Sequence, residues 1–467
     1  MSILLRTVFE SLEQEYVVYC VLRDCDQLSQ STGGKNTGGN FAAGIHEVDL
    51  LVHQSQLPPL HRLLEHLGLF RMYTLGHDPH HFYFGYDKDA DRWLKFDVVT
   101  EIAYGKPIHT LRTQLALNCL SNRQRCGAAF SPSAEDEFVT LLLHCVLDKE
   151  DFSASRSRRL VTLCREVTDV KYLSMLLAKY WSPAMSWSQL RSIVETEQWG
   201  VLLAERRRVA AYLAGGNRAG ILARQIRNRA LRKLSRWRNM LQPLSPTVAI
   251  LAPDGAGKST LVAAIRRTFY FPVHAVYMGL YQKGKTKAKR VRRLGFGFTQ
   301  RLFTQWRRYL VARYQQGRGR LVIFDRYTYD SLLPSQYSLT PGKQWRRWLL
   351  AHACPAPDMV ILLDASGEVL YARKWEHSPT ILEQQRQAYL ELKPFLPQMV
   401  VLDATLDPDR VRREVISLIL RAYLTRQPGT KISRRGQAQT EKAEGTFTQL
   451  TNSHRDRSLG SFRETTK

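Results

Sequence analysis

The stretch Leu251-Ala252-Pro253-Asp254-Gly255-Ala256-Gly257-Lys258-Ser259-Thr260 decides how the C-terminal half of this chain folds. It follows an apolar run at 247–251 that is typical of a buried strand, and it precedes 261–267, which has the pattern of a helix. Strand, glycine-rich loop, Gly-Lys-Ser and helix follow one another in the order of a phosphate-binding loop, with Ala252 in place of the usual first glycine. The motif therefore predicts a site for the phosphates of a nucleotide.

The residue types of this loop explain why it should bind phosphate. Gly255 and Gly257 let the backbone curl so that its N–H groups point at an anion, and the helix that follows adds its partial positive charge. We expect Lys258 to reach the β- and γ-phosphates and the Ser259 hydroxyl to ligate Mg²⁺. The residues expected to hold the nucleotide are Asp254, Gly255, Ala256, Gly257, Lys258, Ser259 and Thr260. ATP and Mg²⁺ are the predicted cofactors.

The composition of the chain limits the classes of protein to which it can belong. The chain has 467 residues, 44% of them hydrophobic, and a net charge of +26, which implies an anionic partner such as a nucleotide, nucleic acid, an acidic glycan or an anionic membrane surface. Its seven cysteines include no Cys-x-x-Cys pair, which favours reduced thiols over a disulfide or zinc framework. We find no signal-peptide pattern and no apolar run of about 18 residues, so we expect a cytoplasmic protein, free or at the inner face of a membrane.

Residues 246–425 alternate strand-like and helix-like segments, which predicts an α/β domain with a parallel sheet covered by helices. The strands are expected over 247–251, 273–278, 320–327, 358–364 and 399–403. Asp325 and Arg326 come at the carboxyl end of one strand, where open α/β sheets bind ligands. Asp325 can hold Mg²⁺ or accept the acceptor's proton, and Arg326 can clamp an anionic acceptor.

A basic loop follows the second strand of this domain, with seven Lys or Arg residues within 283–293. Such a charge density repels itself, so we expect the loop to be unordered in the free protein. Two interpretations stay open: the loop closes on an anionic acceptor, or it is a solvated loop without a role.

Residues 1–130 predict a mixed α/β domain, with strands over 16–22 and 46–52 and a hairpin over 81–99. Glu47 and Asp49 alternate along one strand and leave the same face, and Asp97 lies in a later strand. Three carboxylates on adjacent strands can hold two Mg²⁺ ions for nucleotidyl transfer. The alternative is that they are structural or exposed strand residues.

The acidic-x-acidic strand with Glu47 and Asp49, and the third acidic residue, Asp97, resemble the nucleotidyltransferase-like fold. The Gly-Ser turn that normally follows the first strand of that fold is replaced here by Arg23-Asp24-Cys25-Asp26. The resemblance implies a metal-binding nucleotidyltransferase-like domain, and the missing turn favours a recognition or scaffold module.

A helical connector is predicted over 131–245, and its segment 206–238 is strongly basic with apolar residues interleaved. A basic amphipathic helix can dock on anionic lipid or nucleic acid, but a solvated connecting helix is the interpretation that we favour from sequence. Residues 426–467 are polar, and we expect them to be a disordered tail.

Four segments of the C-terminal domain together resemble the thymidylate kinase family of P-loop kinases: 254–260, Asp325-Arg326-Tyr327, 382–392 and 401–411. The resemblance implies that Asp254 and Arg326 face the acceptor, that Arg373 begins the lid, and that residues 403–406 border the adenine. Two departures stand out: 278–281 lacks the family's Arg-Glu-Pro-Gly-Gly-Thr segment, and Asp330 replaces the family's serine. A nucleotidyltransferase-like half joined to such a kinase also resembles proteins of bacterial surface-polysaccharide clusters, which implies a sugar or glycan-linked acceptor.

The sequence thus predicts an ATP-dependent phosphotransferase with Lys258, Asp325, Arg326 and Arg373 as its catalytic residues. The expected acceptor is a nucleoside monophosphate-like or a sugar- or glycan-linked anion. The alternatives are a polynucleotide kinase and a non-catalytic nucleotide-gated binding protein. Through its basic segments the chain can meet nucleic acid or an anionic membrane surface, and a homodimer is compatible with this interpretation.

Overall fold

The fold is mixed α/β, as predicted, with two main sheets joined by helices. The computed structural model describes residues 2–28, 44–106, 110–182, 185–279, 296–333, 340–375 and 377–426. The predictions for the basic loop at 283–293 and for the tail beyond Arg426 lie outside these residues.

The N-terminal part is built on a five-stranded mixed sheet in the order β1-β2-β5-β4-β3. Its strands are β1 Tyr19–Val21, β2 Ile45–Val52, β3 Phe70–Met72, β4 His80–Asp87 and β5 Arg92–Val99. The central pair, β2 and β5, is parallel, and the predicted hairpin is the antiparallel β4–β5 pair. One face of the sheet is covered by α1 (Ile3–Gln14) and α2 (Leu57–His66), whose leucines pack against Leu94, Phe96 and Val98 of β5.

A helical segment with its own apolar core follows this sheet. Its strands are β6 Ala103–Tyr104, β7 Leu111–Arg112, β8 Gln124–Cys126 and β9 Ala129–Ser131. Its helices are α3 Leu115–Ser121, α4 Ala134–Leu143, α5 Ala154–Glu166, α6 Val170–Tyr180, α7 Trp187–Glu195, α8 Trp199–Ala204, α9 Arg206–Ala214 and α10 Arg218–Leu241. A π-helical turn, His144–Lys149, extends α4 and carries the buried side chains of His144 and Asp148. The helical character predicted for 131–245 is therefore present.

The C-terminal part has a five-stranded, all-parallel sheet in the order β11-β12-β10-β13-β14. Its strands are β10 Thr247–Leu251, β11 Val273–Tyr277, β12 Leu321–Asp325, β13 Met359–Asp364 and β14 Met399–Asp403. Its helices are α11 Lys258–Thr268, α12 Phe296–Gly317, α13 Pro341–Ala351, α14 Gly367–Arg373, α15 Pro379–Leu390 and α16 Pro408–Thr425. Every residue of β10 is buried, because helices cover both faces of the sheet as its apolar sequence predicted.

An aromatic cluster joins the N-terminal sheet to the C-terminal domain. It consists of Phe70, Phe84, Tyr86 and Trp93 from the sheet and Phe269, Phe271 and Tyr423 from α11's end and α16. The rings of Phe70 and Tyr423 stack with their centroids 4.9 Å apart. Beside the cluster, the buried guanidinium of Arg412 on α16 pairs with Asp91 in the β4–β5 turn. These two parts of the chain therefore share one hydrophobic core.

All seven cysteines are free thiols, in agreement with the absence of a disulfide pattern in the sequence. Among the described residues, the structure contains no helix with the length and apolar character needed to cross a bilayer.

Candidate active sites

The phosphate-binding loop connects β10 to α11 at the carboxyl edge of the parallel sheet. Gly255 and Gly257 have φ angles of +93° and +86°, a conformation that side chains with a Cβ rarely adopt. A Cβ on Gly255 would also come within 2.7 Å of the carbonyl oxygen of Leu370, so α14 packs directly against the loop. Both glycines are thus required by the backbone, and Gly257 is the residue from which α11 begins.

Lys258 lies inside the curl of this loop. Its Nζ donates to the carbonyl oxygens of Ala252 and Pro253, at 2.7 and 2.9 Å, and only 9% of the residue is exposed. Burial and, after it, the nearby positive charge of Arg326 lower the pKa of this ammonium to about 8, although three carboxylates oppose the shift. The lysine is thus held at the loop, and Ser259 and Thr260 are exposed on the first turn of α11. The roles of these three residues toward phosphate and Mg²⁺ stay predictions.

Asp325 and Arg326 come at the end of β12, the strand next to β10. Asp325 is the register partner of Ile250 on β10 and of Tyr277 on β11, which places it at the same sheet edge as the phosphate-binding loop. Arg326 has a φ of +64°, and its amide donates to the carbonyl oxygen of Ile250 at 3.1 Å. This left-handed turn ends the strand and directs the chain away from the sheet.

The guanidinium of Arg326 is fixed by three partners. Its Nη2 donates to Asp254 Oδ1 at 2.6 Å, and its Nη1 lies 3.3 Å from Asp330 Oδ2 and 3.4 Å from the Tyr389 hydroxyl. The hydroxyl of Tyr389 in turn donates to Asp330 Oδ1 at 3.0 Å, which closes the network. Asp254 and Arg326, which the sequence placed at the acceptor, therefore form a direct ion pair.

Sequence reasoning missed the part that Asp330 and Tyr389 play. Asp330 was noted only as a departure from the family's serine, and a spacing of four residues indicates an ion pair only on a helix, whereas Arg326 follows the end of a strand. Tyr389 is 63 residues from Arg326 in sequence, and its buried ring on α15 carries no local mark of a contact with β12. Burial raises the pKa of Asp330, whereas the charge of Arg326 opposes that rise.

Arg373 ends α14 with an exposed side chain. Its Nη1 donates to the carbonyl oxygen of Ala404 at 2.8 Å, which ties the expected start of the lid to the expected border of the adenine. The neighbouring Lys374 and Leu370 lie against Gly255 of the phosphate-binding loop. The structure thus places Arg373 beside the loop but gives it no contact with the Arg326 network among the described residues.

An all-parallel sheet with a phosphate-binding loop between β10 and α11 is the architecture of a P-loop kinase domain. Comparison with known families agrees: residues 253–415 match the family model described as "Thymidylate kinase". The match lies wholly within the C-terminal domain and supports a nucleotide kinase at the level of the family.

One similar solved structure is a thymidylate kinase from Candida albicans, described as revealing the origin of broad substrate specificity and a novel structural element. It is 16% identical, the alignment covers 38% of this chain and 93% of that one, and the TM-score is 0.29. A likeness of this size carries no argument about function. The comparison with curated proteins finds no match to this chain.

The N-terminal carboxylates also come together. Asp49 and Asp97 are register partners across β2 and β5, and one oxygen each from Glu47, Asp49 and Asp97 lies within 4.8 Å of the others. Oxygen ligands at this spacing suit a divalent cation. Burial raises the pKa of Asp49, and the charges of Asp97 and Glu47 add to the rise although Arg23 opposes it.

Each of these carboxylates already has a basic partner in the structure. The atoms in contact are Lys95 Nζ and Glu47 Oε1 at 2.6 Å, Arg23 Nη1 and Asp49 Oδ2 at 3.0 Å, and His80 Nδ1 and Asp97 Oδ1 at 2.8 Å. A bound metal would compete with these three pairs.

The carboxylates face a cavity of about 550 Å³ between the sheet and the helical segment. Its opposite wall, on the π-helical turn and α5, carries Lys149, Arg156 and Arg159. The cavity is large enough for a nucleotide-sized ligand. The family match does not reach this part of the chain, so its nucleotidyltransferase resemblance stays a prediction.

Proposed function

We propose that the C-terminal domain is an ATP-dependent kinase that transfers the γ-phosphate to a nucleoside monophosphate-like or sugar- or glycan-linked acceptor. The observation that carries the proposal is the ion pair of 2.6 Å between Asp254 of the phosphate-binding loop and Arg326 of the next strand. This pair sets an anion-binding arginine beside the loop that is to hold the donor phosphates. Phosphoryl transfer depends mostly on such positioning and on the neutralisation of charge.

On the donor side, Lys258 neutralises the β- and γ-phosphates after giving up its contacts with the carbonyl oxygens of Ala252 and Pro253. The Ser259 hydroxyl and the Asp325 carboxylate are the hard oxygen donors that would hold Mg²⁺, directly or through its waters. Mg²⁺ held there would supply Lewis-acid neutralisation of the phosphate charge. Arg373, which donates to the carbonyl oxygen of Ala404, would close over the nucleotide; its contact with the expected border of the adenine supports this role.

On the acceptor side, Arg326 binds the acceptor's anionic group, and Asp254 and Asp330 hold its guanidinium in a fixed direction. A guanidinium fixed in this way presents its remaining N–H groups without losing side-chain entropy at each binding event. This geometry favours an acceptor that carries a phosphate or carboxylate over a neutral alcohol.

A screen for ADP release tests the proposal and identifies the acceptor. The panel contains nucleoside monophosphates including dTMP, sugar phosphates, acidic glycans and 5′-hydroxyl oligonucleotides, each with ATP and Mg²⁺. We expect ADP release that depends on a small anionic acceptor. Release that requires the oligonucleotides supports the polynucleotide kinase alternative instead, and ATP binding without release for any acceptor supports the nucleotide-gated binding protein.

A second candidate function, Mg²⁺-dependent nucleotidyl transfer in the N-terminal cavity, is favoured by the spacing of Glu47, Asp49 and Asp97. The test is Asp49→Asn, which should remove both Mn²⁺ binding and pyrophosphate release from nucleoside triphosphates while ATP turnover at the P-loop is kept. Glu101→Gln, a further carboxylate change at the same cavity, is the matched control. If Mn²⁺ binding is undetectable in the wild type, the N-terminal part is a recognition or scaffold module, as the missing Gly-Ser turn suggests.

A further inference from the structure

The basic helix α10 packs its polar side against the rest of the protein. Asn228 is 3% exposed, and Arg232 Nε donates to the carbonyl oxygen of Gly76 at 3.0 Å. Arg224 Nη2 donates to the carbonyl oxygen of Thr110 at 3.2 Å. Gly76 sits so close to the helix that a Cβ there would come within 2.4 Å of the Asn228 carbonyl oxygen. These contacts fix the rotation of α10 about its axis.

This rotation turns the apolar side of α10 outward. The outer face, as we name it, consists of Leu222, Ile226, Leu234, Trp237, Met240 and Leu241, and their exposed fractions are 56, 58, 57, 72, 40 and 77%. At about 100° per residue they fall within a sector of about 120° along a helix about 36 Å long. Amphipathic helices of globular proteins usually turn their apolar side toward the core, and α10 has the opposite orientation.

Basic side chains border the outer face, and none of them has an acidic partner on the helix. The exposed members at the edges are Arg218, Arg227, Arg229, Arg236 and Arg238, and Lys233 lies within the sector, between Leu222 and Ile226. Residues 218–241 contain no Asp or Glu, and none of these six side chains pairs with a carboxylate in the part of the chain that the structure describes. An apolar strip with unpaired positive edges is complementary to an apolar surface that is covered by negative charge.

We propose that the outer face of α10 docks on the surface of an anionic phospholipid bilayer, with its apolar side chains among the acyl chains and its basic edges among the headgroup phosphates. Amphipathic helices that lie in the membrane interface have this composition, and tryptophan is favoured at that depth. The contribution of each Lys or Arg near such a surface corresponds to about a fivefold change in partition.

Two other occupants fit the charges less well. A second copy of this chain, related by a two-fold axis, would bring identical basic edges together with no acid on the helix to compensate them. Nucleic acid would match the basic edges, but it would leave six apolar side chains against a phosphate backbone. The bilayer satisfies both features of the outer face at once.

Vesicle flotation of the full-length chain tests the docking. We expect it to bind vesicles that contain phosphatidylglycerol, to bind pure phosphatidylcholine at least about tenfold less, and to be released as salt screens the basic edges. Ile226→Gln with Trp237→Gln, and separately Arg229→Ser with Arg236→Ser, should each lower binding about tenfold or more. Met175→Gln with Phe395→Gln, two exposed apolar residues elsewhere, should leave binding unchanged.

All the replaced side chains lie on the surface, so the melting temperature of each variant should equal that of the wild type. This measurement shows that a loss of binding is not a loss of folding. Equal binding to neutral and anionic vesicles, or full binding by both α10 variants, would overturn the proposal. It would equally be overturned if the chain sedimented as a dimer that Ile226→Gln with Trp237→Gln dissociates. Tighter binding to duplex DNA than to vesicles, unchanged in the apolar variant, would assign the helix to nucleic acid.

Discussion

The indole of Trp93, on the N-terminal sheet, donates its Nε1 hydrogen to the carbonyl oxygen of Thr268 at 2.8 Å. Thr268 is the last residue of α11, the helix that begins at the phosphate-binding loop. Since side chains alternate along a strand, Trp93 shares its face of β5 with Lys95 and Asp97, and the span from Trp93 to Asp97 is about 13 Å. One sheet face thus runs from the end of the P-loop helix to the N-terminal carboxylates.

Removal of Trp93 should destabilise both halves of the protein together. Trp93→Ala leaves a cavity in the shared aromatic core and should lower the free energy of unfolding by about 3–5 kcal/mol. Trp93→Phe keeps most of the ring volume but removes the hydrogen bond to Thr268. The loss of this bond alone should lower the free energy of unfolding by about 1 kcal/mol. Trp345→Ala, at a side chain that is 62% exposed, is the control. Urea unfolding followed by fluorescence and circular dichroism would contradict a shared core if the two signals changed at separate midpoints.

The Arg412–Asp91 pair between the halves should matter more than its exposed neighbour. The side chain of Arg412 is 4% exposed and that of Asp91 is 32% exposed, so Arg412→Ala leaves Asp91 partly solvated with the Tyr86 hydroxyl as its remaining partner and should cost about 1–3 kcal/mol. Lys88 and Glu414 form a second pair across the same interface, with side chains that are 44 and 38% exposed. Glu414→Ala should therefore cost about 1 kcal/mol or less. Urea unfolding of both variants measures the two losses in the free energy of unfolding. Equal losses would show that burial does not set the strength of these ion pairs.

Asp330 should act as a positioning residue for Arg326. Asp330→Asn removes a charged partner of the guanidinium and should raise the acceptor KM about tenfold or more, while the KM for ATP stays the same. Asp409→Asn removes a carboxylate from another arginine, Arg412, and serves as the matched control. Steady-state kinetics of both variants make the comparison. A rise in the two KM values together would mean a general loss of structure and not a loss of positioning.

The depressed pKa of Lys258 predicts how ATP binding depends on pH. The free protein loses this proton as the pH rises through about 8, whereas bound phosphates favour the charged ammonium and raise its pKa. ATP binding at about pH 8.5 should therefore take up a fraction of a proton, and the affinity should fall as the pH rises further. Calorimetry in buffers of different ionisation enthalpy measures the uptake. Lys258→Met should abolish it, and proton release by the wild type would contradict the assignment.

Local patterns predicted much of this structure. The strand before the phosphate-binding loop, the helix after it and the strand end at Asp325 each follow from residues close in sequence. The network around Arg326 could not be predicted in the same way, because Tyr389 reaches it from a helix 63 residues away. The amphipathic pattern of α10 was visible, but its outward apolar side depends on the hydrogen bond of Arg232 to Gly76 and on the burial of Asn228, both of which are tertiary contacts.

The carboxylates of the N-terminal sheet also have contacts that the local sequence pattern does not predict. Alternation along one strand predicted that Glu47 and Asp49 leave the same face, and the register of β2 with β5 then brings Asp97 opposite Asp49. The basic partners of these side chains come from other strands and loops, as Arg23 does for Asp49. Whether a carboxylate cluster is paired or free therefore depends on tertiary contacts that no local pattern contains.

The most direct test of the central claim is the transfer of labelled γ-phosphate from ATP to nucleoside monophosphates and sugar phosphates by the wild type and by Lys258→Met. The account predicts a labelled acceptor with the wild type in the presence of Mg²⁺, and a loss of about a hundredfold or more in the variant with its melting temperature kept. Transfer by the variant at the wild-type rate, or no labelled product from any acceptor with the wild type, would contradict it.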